Sequence, residues 1–200
     1  QIHNFFFFKL GNKSKNSRNI IMHKNINNLI QIKKEIYSKN TNQNSEPKII
    51  AVSKTFSITH IEPLINYGHI DYGENKVQEA VEKWTEIKKK NKEIKLHMIG
   101  RLQTNKVKDA IHLFDYIHSL GSIKLAKKIS IEQKKIKKNL KIFIQVNIGR
   151  ENQKSGIKVE DLKNFYQTCK NDYELDIIGL MCIPPVDQNP SNFFEEMKKI

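Results

Sequence analysis

The stretch Lys141-Ile142-Phe143-Ile144-Gln145-Val146-Asn147-Ile148 is short, β-branched and nearly continuous in its apolar residues. Such a run suits a strand covered on both faces, as a parallel strand between layers of helices is. Ile177 and Ile178 repeat the pattern within Asp176–Ile183. Working outward, further strand signals fall at Lys48–Thr55, Ile70–Gly73, Lys95–Gly100 and Tyr116–Leu120. Helical spacing separates them at Thr59–Tyr67, Lys76–Lys90, Asn105–Phe114, Ser122–Ile136 and Val159–Asn171. An earlier helix opens near Ile26 and stops in the polar run Ser38 to Pro47. Strands joined by single helices require parallel pairing through right-handed crossovers. Two α/β architectures meet that requirement, an open doubly wound sheet and a closed (β/α)₈ barrel. Glycine fingerprints of the GxGxxG or P-loop type are absent, which weakens the nucleotide-binding form of the first.

A chain of 200 residues is long enough for one domain with a real core. Its formal charge of +14 raises the question of polyanion partners. Yet Arg18, Arg101 and Arg150 are its only arginines, so lysine carries nearly all of the charge. Lysine lacks the planar fork that reads base edges, and a solvated basic surface is the simpler reading, with no nucleic acid expected. Cys169 and Cys182 form no CxxC and have no histidine spaced to complete a metal set, as suits a reduced cytoplasmic compartment. No apolar run approaches the roughly 18 residues that span a bilayer, and the Phe5 to Phe8 run lacks the flanks of a signal peptide. Residues 1–21 differ in composition from the rest of the chain and read as a non-native or disordered extension, leaving 22–200 as the folded barrel domain.

In either architecture chemistry gathers where strands end at their carboxyl side. Lys54 follows Ile49-Ile50-Ala51-Val52-Ser53, so its amine belongs at such an end. Desolvation there favours the neutral amine, a nucleophile towards aldehydes, although a lysine at a strand end also serves as a snorkelling surface residue. Asn75 and Asn147 offer uncharged donors and acceptors to a polar ligand, or the turn chemistry common after strands. Lys154 supplies charge to an anion or lies exposed. His97 and His118, inside strand patterns, read as hydrogen-bonded core residues, and Trp84 as packing against the sheet.

Five strand-end strings occur in order: Ala51-Val52-Ser53-Lys54-Thr55; Tyr72-Gly73-Glu74-Asn75-Lys76-Val77-Gln78-Glu79; His97-Met98-Ile99-Gly100-Arg101-Leu102-Gln103-Thr104-Asn105-Lys106; Asn147-Ile148 with Glu151 to Gly156; and Gly179-Leu180-Met181-Cys182-Ile183-Pro184. Together they resemble the pyridoxal-phosphate homeostasis proteins, whose barrel is similar to the N-terminal domain of alanine racemase. The resemblance implies a (β/α)₈ TIM barrel of that type, C-terminally incomplete here, since two further βα units with phosphate-binding segments would follow Ile200. It implies pyridoxal 5′-phosphate held as a Schiff base on Lys54, with Asn75 and Met181 near the cofactor ring and Lys154 near the site. It further implies a monomeric carrier that hands the cofactor to pyridoxal-phosphate-dependent apoenzymes and has no turnover reaction of its own. The alternatives are a pyridoxal-phosphate-dependent racemase-like enzyme and a basic nucleic-acid-binding module.

Overall fold

The computed structural model describes residues 5–9, 23–39, 47–151 and 155–200. Along the chain lie β1 (Phe5–Lys9), α1 (Lys24–Lys39), β2 (Lys48–Val52), α2 (Ile58–Asn66), β3 (Asp71–Glu74), α3 (Val77–Lys90) and β4 (Lys95–Met98). Then come α4 (Val107–Leu113), β5 (Tyr116–Leu120), α5 (Ile123–Lys135), β6 (Lys141–Gln145), α6 (Leu162–Asn171), β7 (Asp176–Met181) and α7 (Pro190–Lys199). Short 3₁₀ turns lead into α4 and α6.

All seven strands are parallel, and their order in the sheet follows their order in the chain. A doubly wound sheet would reverse its strand order at a switch point; this one never does, which is the winding of a barrel. From β2 to β7 it is an incomplete (β/α) barrel, with pairing running only from neighbour to neighbour.

The two faces of the strands divide the residues cleanly. Ile49, Ala51, Tyr72, Leu96, Met98, Ile117, Ile142 and Ile144 turn outward and join the main core with the helices, among them Leu64, Trp84, Ile111 and Ile129. Trp84 is fully buried with its ring 4.8 Å from Tyr72, a contact that contributes about 0.5–1.5 kcal/mol beyond area burial. The inner face carries Ile50, Gly73, His97, Ile99, Tyr116, Phe143 and Met181. There a methyl at Gly73 would lie 3.0 Å from Ile99 Cδ1 and 3.1 Å from Ile50 Cγ2.

Strand β1 lies within residues 1–21, the segment that differs in composition from the rest of the chain. Phe5 to Lys9 pair in register with Lys48 to Val52, along the side of β2 that β3 leaves free. Aromatic residues favour strands, and an open edge of backbone donors and acceptors is a template for one.

Candidate functional site

Because every strand is parallel, the strand-end strings collect at one end of the sheet. On β2 the alternation of side chains puts Ile50 and Val52 on the inner face; past its end Ser53 turns out towards the helices, and Lys54 opens the turn that follows. The outward turn of Ser53 is fixed by its hydroxyl, which donates to Glu74 Oε1 at 2.8 Å. Lys54 itself is partly buried.

The backbone on either side of Lys54 is held by side chains. Lys83 Nζ donates to the Ser53 carbonyl at 2.9 Å and to Glu74 Oε1 at 3.0 Å. Glu79 Oε1 accepts the Thr55 N–H at 2.7 Å and lies 3.3 Å from Lys83 Nζ. Trp84 Nε1 donates to Glu74 Oε1 at 2.9 Å, so one oxygen of a fully buried carboxylate takes three donors. Thr55 has φ 65°, a left-handed conformation that a side chain other than glycine's adopts at a cost. Burial alone would raise the Glu79 carboxyl, but the Thr55 N–H and Lys83 outweigh it and hold that carboxyl below the usual range.

Asn75 follows β3 on the inner face. Its Oδ1 is buried and has no hydrogen-bond partner among the described residues. A buried amide oxygen left without a donor costs about 1–3 kcal/mol, and a bound ligand bearing a donor would remove that cost. Gly100 lies so close that a methyl there would sit 2.4 Å from the Asn75 carbonyl oxygen. Met181, at the end of β7 and 8% exposed, packs against Tyr116 and Phe143. Lys54 and Asn75 thus follow adjacent strands, while Met181 stands at the same end on the far strand of the sheet. Lys154 lies outside the described residues.

Asn147 serves a turn, donating to the Glu151 carbonyl at 2.9 Å and accepting the Glu151 N–H at 3.2 Å. The inner face also holds a polar line that sequence spacing does not assemble. Asp71 Oδ1 lies 3.0 Å from His97 Nε2, and His97 Nδ1 lies 2.9 Å from His118 Nε2. His97 stacks on Tyr116 at 4.2 Å and His118 on Phe143 at 4.5 Å. Burial lowers the pKa of both imidazoles, with Asp71 partly opposing the effect at His97. Residue alternation places each histidine on the inner face, but only the pairing of β3, β4 and β5 brings them into one line. Among the described residues no cluster of His, Cys, Asp and Glu suits a metal ion, and no helix is long and apolar enough to cross a membrane.

An amine just past the end of β2, an unpaired buried amide oxygen past the neighbouring strand and a thioether at the end of β7 thus gather at one end of the sheet. The family described as alanine racemase, N-terminal domain, matches residues 28–200. The pyridoxal phosphate homeostasis protein of Haemophilus influenzae is 35% identical over 177 residues, covering 86% of this chain and 75% of that protein. PipY of Synechococcus elongatus, solved with PLP bound, is 26% identical with a TM-score of 0.70, over 83% of this chain and 76% of its own. An alanine racemase of Clostridium difficile, 12% identical with a TM-score of 0.60 over 85% of this chain and 44% of its own, shares the fold. The chain belongs to the alanine racemase N-terminal domain family and, within it, to the pyridoxal phosphate homeostasis proteins.

Proposed function

We propose that this chain holds pyridoxal 5′-phosphate as a Schiff base on Lys54 and serves intracellular vitamin B6 balance as a carrier of the cofactor rather than as an enzyme. The observation that carries the reading is the placement of Lys54 just past the end of β2, at the same end of the sheet as the buried, unpaired Oδ1 of Asn75 after the neighbouring strand. The cofactor would supply an aldehyde, and the Lys54 amine is the group that would condense with it, releasing water. The chain contributes the amine, its orientation and an apolar floor that includes Met181. Lys154, which precedes Ser155 in the sequence, is assigned to the anionic side of the ligand.

Carriage is favoured over turnover by how the inner-face titratable groups are used. Racemisation needs a second proton carrier facing the substrate across from the lysine. Asp71, His97 and His118 are instead buried and bonded to one another. Release to apoenzymes in the cytoplasm, by a monomer, completes the proposal. It is tested by incubating the chain with pyridoxal phosphate, reducing with borohydride and mapping the peptides. The expected adduct concentrates on Lys54 and disappears in Lys54→Ala. Labelling scattered over many lysines, unchanged in Lys54→Ala, would reject the assignment.

A further inference from the structure

We infer that Glu79 and Lys83 on α3, together with Glu74 at the end of β3, are positioning residues that aim Lys54 into the barrel by clamping the backbone on both sides of it. The inference rests on Lys54 as the cofactor lysine. Its ground is a set of contacts that converge on two peptide groups and leave Lys54 between them. Upstream, the Ser53 carbonyl accepts Lys83 Nζ at 2.9 Å, while the Ser53 hydroxyl and Lys83 share Glu74 Oε1. Downstream, the Thr55 N–H donates to Glu79 at 2.7 Å.

These contacts do more than stabilise a surface turn. The chain leaves β2 at Val52 and must turn sharply, because Thr55 is left-handed at φ 65° and Phe56 N–H already returns to the Ser53 carbonyl at 3.2 Å. Lys54 stands at the first corner of that turn, beyond the last residue of β2, so its direction follows from how the peptides on either side of it are held. Holding the Ser53 hydroxyl against Glu74 and its carbonyl against Lys83 fixes the peptide that enters the turn, and with it the direction in which Lys54 leaves it. Lys83 is 10% exposed and Glu74 fully buried, so this half of the clamp sits in a low-dielectric layer where charged hydrogen bonds are strong and directional. Glu79, 30% exposed, closes the other half from the rim. A lysine that must meet a carbonyl carbon at a set angle gains from such restraint, since misplacement by about 1 Å can cost on the order of 100-fold in reaction.

Lys83→Met strips Glu74 of its ammonium inside the helix layer and can unfold the chain, so the deciding variants are at Glu79. In the cofactor-free chain, Glu79→Ala should leave the melting temperature within a few degrees of the parent yet speed amide exchange at Thr55. With pyridoxal phosphate it should bind about tenfold more weakly, the loss of one charge-assisted hydrogen bond, and lose much of the borohydride-fixed adduct from Lys54. Glu79→Gln, which keeps an acceptor for the Thr55 N–H, should recover most of that adduct. A purely structural role would lower the melting temperature and leave the share of label on Lys54 in folded protein untouched. Glu79→Ala carrying its adduct on Lys54 with the parent's affinity overturns the clamp alone. An adduct that sits elsewhere in the parent chain overturns the Lys54 assignment and the clamp with it, and the parent chain by itself distinguishes the two failures.

Discussion

Gly100 shows how little room the site allows at the residue scale. Ile99 N–H bonds the Glu74 carbonyl at 2.9 Å, which draws the end of β4 onto the end of β3. The next residue then has the Asn75 carbonyl oxygen, Cα and Cβ all within 2.7 Å of where a side chain would begin. Those are largely backbone atoms, which cannot rotate away. Gly100→Ala should therefore cost about 1–3 kcal/mol, as overpacking does, and displace Asn75 from its inward position. Urea unfolding would measure the first effect, and a weaker pyridoxal phosphate affinity the second; an unchanged midpoint would show that the strand ends can part freely. The position of Lys54 at the close of an apolar run was legible in the sequence. Lys83 was not, being one lysine among many on a helical pattern. What distinguishes it is a buried carboxylate nine residues earlier, on another element, that only folding brings to it.

At the scale of elements, the boundaries read from apolar periodicity come close to those observed: Tyr116–Leu120 is β5 as expected, while β6 stops at Gln145, short of Ile148. The difference at β6 has a cause in hydrogen bonding. Val146 onward bridges to Ile157 in the returning loop, and Asn147 spends its side chain on Glu151. Periodicity registers burial, not which partner accepts a backbone bond. The line Asp71, His97 and His118 crosses β3, β4 and β5 and predicts a pH dependence. Burial holds both imidazoles below the usual histidine range in the folded chain, against Asp71 and Asp115 at His97 and with His97 adding to the effect at His118. The unfolded chain then binds more protons than the folded one once the pH falls below about 6.5, so stability is complete above that value and declines as the pH drops through it. Thermal unfolding between pH 7 and pH 5 should show a falling midpoint, and the fall should be shallower in His118→Gln, whose side chain does not titrate. Equal slopes for the two proteins would assign the decline to other groups.

The whole molecule has a sheet with two different margins. Strand β1 covers the free side of β2, whereas β7 is bordered only by β6 among the described strands. Four of the six residues of β7 are only partly buried, in contrast to the fully buried β5. Around that margin large apolar side chains reach solvent, with Ile183 at 57%, Val186 at 93% and Phe194 at 48% exposure. A net charge of +14 opposes association of copies, but salt screens it over about 8 Å at physiological ionic strength, while apolar contact is little affected. The balance therefore depends on salt: the chain should be monodisperse at low ionic strength and self-associate as salt is raised. Unpaired parallel edges and clustered apolar residues are the features that promote such contact. Sedimentation of the chain with Phe194→Ser and Ile183→Lys together should remain monomeric at salt concentrations where the parent forms larger species. If parent and variant associate alike, the contact lies elsewhere on the surface; if the parent stays monomeric at every salt concentration, the exposed apolar residues after β7 do not drive association.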